Sequence, residues 1–515
     1  MHSITSMRIV VCAALWFSVS PVFGQEGLHF TVRAFGVEGE IPIAMDKAQH
    51  ALTPFTGDNV GLEQLRNAAK ALEALLADNG YPFYRVILPP QTIESTVTLR
   101  VLPFTLANIE VSGNHYFTND NILASLPALQ AGVSPNINKV SANRIFANEH
   151  PAKQVEVTFR QSNVPDSVDA TVQVQDVSPL RFFSSLNNTG SAQSGRWRLS
   201  LGAQYANLFA LDQSLTFSYS TSPGHWNDVS QYGVFYAAPV YRFSGRLSGF
   251  YTRSNVDTGT IANLFEVSGG GKFAGVHWTQ QLPQRGAFSH WLDIGVEDRL
   301  FENNVSFAGT PIGVDVRSRP VSVSYQARYE FTATDLTGSL GYVHNLGGGG
   351  DNTNAAYLAN RAGARRDWDA WRLSFDAQRA LSGNWLVEAR FRGQYAGGSL
   401  IPGEQFGYGG ASGVRGLEER EATGDSGLSF SMELYPPPVR EKLRFLAFFD
   451  IGKVWLNNTT AGMNKQTTAS SIGAGARWTP WRYLAVSLDF AHVLDAATIT
   501  ESGDNMLHVA INMQY

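Results

Sequence analysis

The residues from Gly407 to Leu417 read Gly-Tyr-Gly-Gly-Ala-Ser-Gly-Val-Arg-Gly-Leu and set one guanidinium, Arg415, at the tip of a glycine-rich run. Glycines between Gly397 and Gly416 permit positive φ and close backbone approach, so a hairpin folded back into a narrow space is feasible. A charge carried into such a space needs a partner. The alternative is a loose extracellular loop. No other pattern points to covalent chemistry. Gly269-Gly270-Gly271-Lys272-Phe273 lacks the Ser or Thr and the spacing of a phosphate loop. The eleven histidines form no ligand spacing, no G-x-S-x-G nucleophile elbow occurs, and Cys12 is the single cysteine. No catalytic residue, metal site or cofactor is expected, and the chain is read as something other than an enzyme.

The elements that must position Arg415 begin with composition. Of 515 residues 43% are apolar and only 16% charged, and the mean hydropathy is -0.13 with no apolar run of 18 or more residues. Helical membrane spans are excluded, whereas a β-barrel is not. A net charge of -5 and a pI near 6.1 without a basic stripe argue against a nucleic-acid partner.

Residues 1–24 carry Arg8, the apolar stretch Ile9 to Val19, a Pro21 break and Val22-Phe23-Gly24. This pattern reads as a secretory signal peptide, and Cys12 lies inside it. An exported chain without structural cysteines needs another source of stability, and a closed barrel is one.

Composition changes near Asp176. The first 176 residues hold 9 glycines and the remaining 339 hold 40, with 14 and 46 aromatics respectively. Such a break separates two folding environments. The first half contains a degenerate repeat of strand, helix, helix, strand, strand, spanning 28–103 and 104–177. In the first copy Phe30 to Phe35 reads as one strand, Asp46 as the cap of a short helix, and Leu62, Leu65, Ala69, Leu72 and Leu76 as the apolar face of a second helix ending at Gly80. The second copy places helices near Asn119 to Leu126 and Lys139 to Asn148, and strands at Gln154 to Gln161 and Val168 to Asp176. A small sheet with an unpaired edge can accept an extended peptide. The residues alone leave that role and a spacer role equally open.

From 178 to 515 the chain alternates apolar and small polar residues in segments of about ten, as outer-membrane strands do. Leu215, Phe217 and Tyr219 oppose Thr216, Ser218 and Ser220, and Leu507, Val509, Ile511 and Met513 oppose His508, Ala510 and Asn512. About sixteen such segments are expected, with starts that include Phe243, Glu266 and Met506. The stretch 396–427, which contains Arg415, lacks that alternation, and a loop of that length without strand structure is usually functional or disordered, so an inward hairpin and a loose extracellular loop both stay open at this point. The fold class is therefore a membrane β-barrel of about 16 antiparallel strands behind two small α+β domains.

Taken together, these residues resemble the Omp85 superfamily and, within it, the two-partner secretion transporters (TpsB proteins), the haemolysin secretion/activation proteins of the ShlB/FhaC/HecB kind. Gly413-Val414-Arg415-Gly416-Leu417 is similar to that family's VRGY or VRGF loop motif, and Phe448-Phe449-Asp450-Ile451-Gly452 to its F-x-D-x-G strand motif. Alternation puts Phe448, Asp450 and Gly452 on one face, expected to be luminal. Further resemblances are Gly80-Tyr81-Pro82, Leu88-Pro89-Pro90-Gln91, the Asn148-Glu149-His150-Pro151 step and the C-terminal aromatic Tyr515, which serves the family as an assembly signal. The resemblance implies two POTRA-like domains and a sixth extracellular loop folded inward with Arg415 paired to Asp450. Two departures stand out. Leu417 replaces the usual aromatic, so a less firmly packed tip is expected. Only Gln25 to Leu28 separate the leader from the first repeat, so no plug helix is expected and closure rests on the loop, with a leakier resting pore.

The function implied is an outer-membrane pore whose periplasmic POTRA domains bind an unfolded secreted partner and which exports it. The implied partners are a TpsA-like exoprotein, outer-membrane lipid and lipopolysaccharide, and the barrel-assembly machinery and periplasmic chaperones during biogenesis. An insertase for other barrels would more often carry a longer repeat array. A diffusion porin would need no repeats.

Overall fold

The computed structural model describes residues 29–515 apart from 192–193, 227, 257–258, 262–264, 268–269, 304–305, 308–309, 312–313 and 460–463. The leader reading and Cys12 lie outside the described residues. The chain divides into two compact units, at Thr105 and Leu106.

In the first unit a three-stranded sheet runs in the order Ala34–Glu38, Thr96–Pro103, Tyr84–Ile87, the first pair parallel and the second antiparallel. Helix Leu62–Asp78 buries Leu65, Ala69, Leu72 and Leu76 against it, together with Val97, Leu99 and Val101 of the central strand. Leu62 is exposed, because it stands at the first helical position, before the buried stripe begins. Gly80 holds φ +91 after the helix end, as a left-handed cap requires. Two local readings are corrected. Residues 30–35 are not one strand: His29–Val32 pairs with Gly57–Gly61, and Ala34–Glu38 pairs with the main sheet, so the chain changes sheets at Arg33. Asp46 does not cap helix Met45–Leu52; Ala44 is the cap, without a side-chain bond, and Asp46 lies in the first turn where it favours the helix dipole.

The second unit opens with another three-stranded sheet, in the order Thr105–Ser112, Ser167–Asp176, Lys153–Gln161, carrying helices Asn119–Ala124 and Ile137–Ala147. The helices are capped by Thr118 and Asn136, whose side chains accept from the N–H of Asn121 and Lys139.

Sixteen antiparallel strands then close a barrel, the number the segment spacing predicts. The first strand, Leu180–Asn187, pairs with the last, Asn505–Gln514, and Tyr515 and Phe182 exchange backbone bonds of 2.8 and 2.9 Å beyond them. The eighth strand is Val316–Ser318 continued by Pro320–Phe331, both on Phe288–Phe301; the interruption falls at Arg319, just before Pro320, which has no N–H to donate. Two predicted starts shift. Phe243 lies in a short 3-10 turn before strand Gly245–Ser254, and Glu266 lies in a two-stranded hairpin before strand Gly271–Gln281, because apolar alternation does not distinguish a hairpin in a loop from a barrel strand.

Alternation sorts the barrel wall. Leu201, Phe217, Val276, Ile294 and Phe490 are exposed on the outside, as lipid-facing residues should be, while Thr216, Ser218 and Ser220 are buried on the opposite face. No helix of the described residues is long and apolar enough to cross a membrane.

Candidate functional site

The eleventh strand, Leu386–Tyr395, and the twelfth, Ser426–Tyr435, are neighbours in the barrel, and the chain between them folds as a hairpin. Phe406–Tyr408 pairs antiparallel with Ala422–Gly424, and the tip between them is tightened by bonds from Gly410 N–H to Leu417 O and from Gly413 N–H to Gly410 O, 3.2 Å each. Arg415 lies in this tip with 1% of its surface exposed.

The structure brings Arg415 onto Asp450. Arg415 Nε donates to Asp450 Oδ2 at 2.7 Å and Nη2 to Oδ1 at 2.8 Å, and the Arg415 backbone N–H adds a third bond at 3.1 Å. The planar fork therefore meets the carboxylate in two parallel bonds. Nη1 lies 2.8 Å from Glu433 Oε1 and 3.9 Å from Asp489 Oδ1, and Nη2 also donates to Ser431 Oγ at 3.2 Å. The guanidinium carbon sits 3.5 Å from the Phe448 ring centroid, a cation–π contact from the same strand that supplies Asp450. Each guanidinium nitrogen of Arg415 thus has a carboxylate oxygen within 2.8 Å, which meets the condition for a buried charge.

Phe448, Asp450 and Gly452 alternate along the thirteenth strand, Leu443–Trp455, and share its inner face, with Phe448 and Asp450 buried while Phe445 and Phe449 are exposed outside. Gly452 has no side chain because the Tyr408 ring occupies that space: a Cβ there would stand 2.5 Å from it. Gly416 adopts φ +95, a region closed to most residues, and a Cβ would press on Val493 at 2.9 Å. Its N–H donates to His508 Nε2 at 2.9 Å, so the last strand also holds the tip. Val414 and Leu417 are fully buried with Tyr408, Ala422, Val454, Ala469 and Val493. The expected looseness at Leu417 is therefore not found, since an aliphatic side chain fills the niche. Gly413 closes against the backbone of Gly409. Tyr515 stands apart from this cluster, 76% exposed, with its ring 5.2 Å from that of Tyr483.

Sequence reasoning missed several anchors of the same loop. Buried Glu404 receives Arg299 at 2.7 Å and Arg372 at 3.3 Å. Buried Asp425 accepts from Arg361 Nη2 at 2.9 Å and from the N–H groups of Leu400 and Asn457 at 2.8 and 2.7 Å, tying the loop to its neighbours on both sides. Glu421 accepts from the N–H groups of Ile499 and Thr500 at 2.9 and 2.8 Å in the last connection. The available signal was charge at inward positions of strands, as at Glu433 and Asp489, although alternation alone assigns such residues a wall and no partner. Beside the hairpin a cavity of about 570 Å³ persists, lined by Arg372, Arg390, Arg392 and Arg420 among others. Among the described residues no cluster of three or more His, Cys, Asp or Glu could hold a metal ion.

The family model described as haemolysin secretion/activation protein ShlB/FhaC/HecB matches residues 167–478, more than half the chain, and that of the ShlB-type POTRA domain matches 30–103. The Heme/hemopexin transporter protein HuxB of Haemophilus influenzae is 22% identical over 501 residues, covering 92% of this chain and 85% of its own. Among solved structures, CdiB from Escherichia coli has a TM-score of 0.76 at 16% identity, covering 97% of this chain and 93% of that one. CdiB from Acinetobacter baumannii has a TM-score of 0.69 at 17% identity, covering 95% and 91%. BamA from Haemophilus ducreyi lacking POTRA domains 1-3 has 0.52 at 16%, covering 94% and 100%. At these identities the structural likeness speaks for the fold.

Proposed function

We infer a working mechanism from one premise: the chain belongs to the haemolysin secretion/activation family ShlB/FhaC/HecB. It is an outer-membrane transporter of two-partner secretion, its N-terminal POTRA region lies in the periplasm, and its family implies a secreted TpsA-like partner.

On this reading residues 1–24 are a removed leader, 28–103 and 104–177 are two POTRA-like domains, and 178–515 is the pore. The repeats receive the unfolded partner by strand addition, which is supported by two open three-stranded sheets, each with two edges. The hairpin 396–427 is the resting closure of the pore, and Arg415 with Asp450 is its lock. The observation that carries this is Arg415: a cation almost wholly buried inside a closed barrel and paired with Asp450, Glu433 and Ser431. Removing either member of a buried pair costs about 3–5 kcal/mol, so the pair holds the hairpin in one place without a covalent link. No nucleotide motif is present in the sequence, and export draws on folding of the partner outside. During its own biogenesis the barrel engages periplasmic chaperones and the barrel-assembly machinery, with Tyr515 as the terminal signal, and then sits among lipid and lipopolysaccharide. The reading excludes catalysis by the chain itself.

The test compares culture supernatant and outer membrane with and without this gene. Loss of one secreted protein with other barrels unchanged is expected. A general fall in barrel proteins would instead identify an insertase, and no change in either fraction would leave only a porin.

A further inference from the structure

The Asn148-Glu149-His150-Pro151 step has no part in the lock. It lies where residues 106–176 meet the periplasmic rim of the barrel, within one compact unit running from Leu106 to Tyr515. Lys153, two residues on, is buried and donates to buried Asp212 at 2.5 Å; both side chains are 0% exposed. Asp212 also accepts from Tyr241 Oη at 2.5 Å, and the Lys153 ammonium sits 5.3 Å from the Phe117 ring and 3.3 Å from Asn121 Oδ1. Asn121 Nδ2 in turn donates to Ala210 O at 2.7 Å. Asp212 and Ala210 belong to the turn after the second barrel strand, Arg198–Leu208, in which Phe209, Ala210 and Asp212 all hold positive φ, of 57, 55 and 58°. Non-glycine residues rarely adopt that backbone, and here it delivers one carboxylate and one carbonyl to the repeat.

The step itself reaches three more strands. His150 Nε2 donates to Ala206 O at 2.6 Å while its Nδ1 accepts from Ala152 N–H at 3.2 Å, and burial pushes the ring's pKa down, which keeps it in this neutral form. Glu149 bridges Arg246 Nη2 at 2.5 Å and Trp291 Nε1 at 3.2 Å, and Arg181 donates to Pro151 O. The contacts therefore extend from the first strand to the seventh. A swivel of the repeat about any single hinge would break several of them together and leave Lys153 and Asp212 as unpaired buried charges.

We propose that the Asn148–Pro151 step, Lys153 and Asp212 form a fixed joint that holds the second repeat in one orientation on the pore rim, and that this joint stays closed throughout export. Lys153 and Asp212 are positioning residues: they aim the repeat's receiving edge at the pore and touch no cargo. The proposal rests on the export reading.

The test uses the full chain in cells and follows whichever supernatant protein disappears when the gene is deleted. Glu149→Cys with Arg246→Cys is joined by a short reducible bis-methanethiosulfonate linker; Cys12 is the only native cysteine and falls in the leader reading. Export at the wild-type rate while cross-linked is expected. Export that stops on cross-linking and returns on reduction would overturn the proposal, because the joint would have to open. Separately, Lys153→Met and Asp212→Asn are expected to lower export at least tenfold, with heat-modifiable barrel migration and single-channel conductance unchanged. Wild-type export by both variants would also overturn it. If deleting the gene removes no supernatant protein, the export reading fails first, and that result is distinct from either outcome above.

Discussion

The Tyr408 ring occupies the place where a side chain on Gly452 would stand, since a Cβ at that position would lie 2.5 Å from the ring. One residue belongs to the inward hairpin and the other to the barrel wall. The glycine of the strand motif is therefore the seat of the loop, and Asp450, two residues before it on the same face, is the charge that fixes the tip.

Gly452→Val is expected to push Tyr408 off the wall and tilt the hairpin, since overpacking of this kind costs about 1–3 kcal/mol. Larger single-channel conductance and greater sensitivity of cells to bulky antibiotics are the expected readouts, with strand pairing preserved in heat-modifiability gels. Conductance equal to wild type would show that the ring has room to move.

Arg415→Ala leaves Asp450, which is 0% exposed, without its main partner. A loss of about 3–5 kcal/mol of local stability is expected, seen as protease access to the hairpin and reduced export. The Arg415→Ala, Asp450→Ala double variant should recover part of the stability and none of the export, because it removes the orphaned charge without restoring the lock. Arg415→Lys should fall between, since an ammonium cannot make the two parallel bonds.

Asp425→Asn tests the root of the loop rather than its tip. Asp425 gathers Arg361 and the N–H groups of Leu400 and Asn457, and bonds to a charged acceptor of this type contribute about 1.5–3 kcal/mol each. The variant is expected to raise conductance and hydrogen exchange at residues 396–405 while leaving exchange at Arg415 as in wild type. Equal loosening at both places would show one cooperative closure.

The His150 contact gives a pH dependence with a definite sign. Desolvation, the largest influence, lowers the His150 pKa below 6.5, with Lys153 and Arg181 acting in the same direction and Asp212 and Ala206 O opposing. The unfolded state therefore binds a proton at higher pH than the folded state does. Stability from the neutral ring is fully present above about 6.5 and is lost progressively as pH falls from there toward the lower folded value. Thermal unfolding of the detergent-solubilised chain between pH 5 and 7 should show this slope, and His150→Gln should flatten it.

Much of the architecture was legible locally because its signals are periodic. Leu65, Ala69, Leu72 and Leu76 recur at helical spacing, and Leu215, Phe217 and Tyr219 alternate against Thr216, Ser218 and Ser220; both patterns select a buried or lipid-facing side without reference to distant residues. The errors arose where the pattern is short, as at Arg33, where two strands of four and five residues join different sheets, and at Glu266, where a hairpin copies the alternation of a wall strand. The pairing of Arg415 with Asp450 was accessible only through family resemblance, since nothing in the spacing of positions 415 and 450 relates them.

By itself, then, the sequence pointed to a secretory leader, two α+β repeats, about sixteen strands with an expected inside and outside, and one arginine, Arg415, in the glycine-rich run from Gly407 to Leu417. Only the tertiary structure decided that Glu433, Ser431 and His508 surround that tip, that Glu404 and Asp425 anchor the loop's root, and that Lys153 meets Asp212 at the rim. The physical reason is that alternation specifies which face a residue occupies, whereas a buried ion pair depends on which strands the closed barrel brings opposite one another, and closure is a property of the whole sheet.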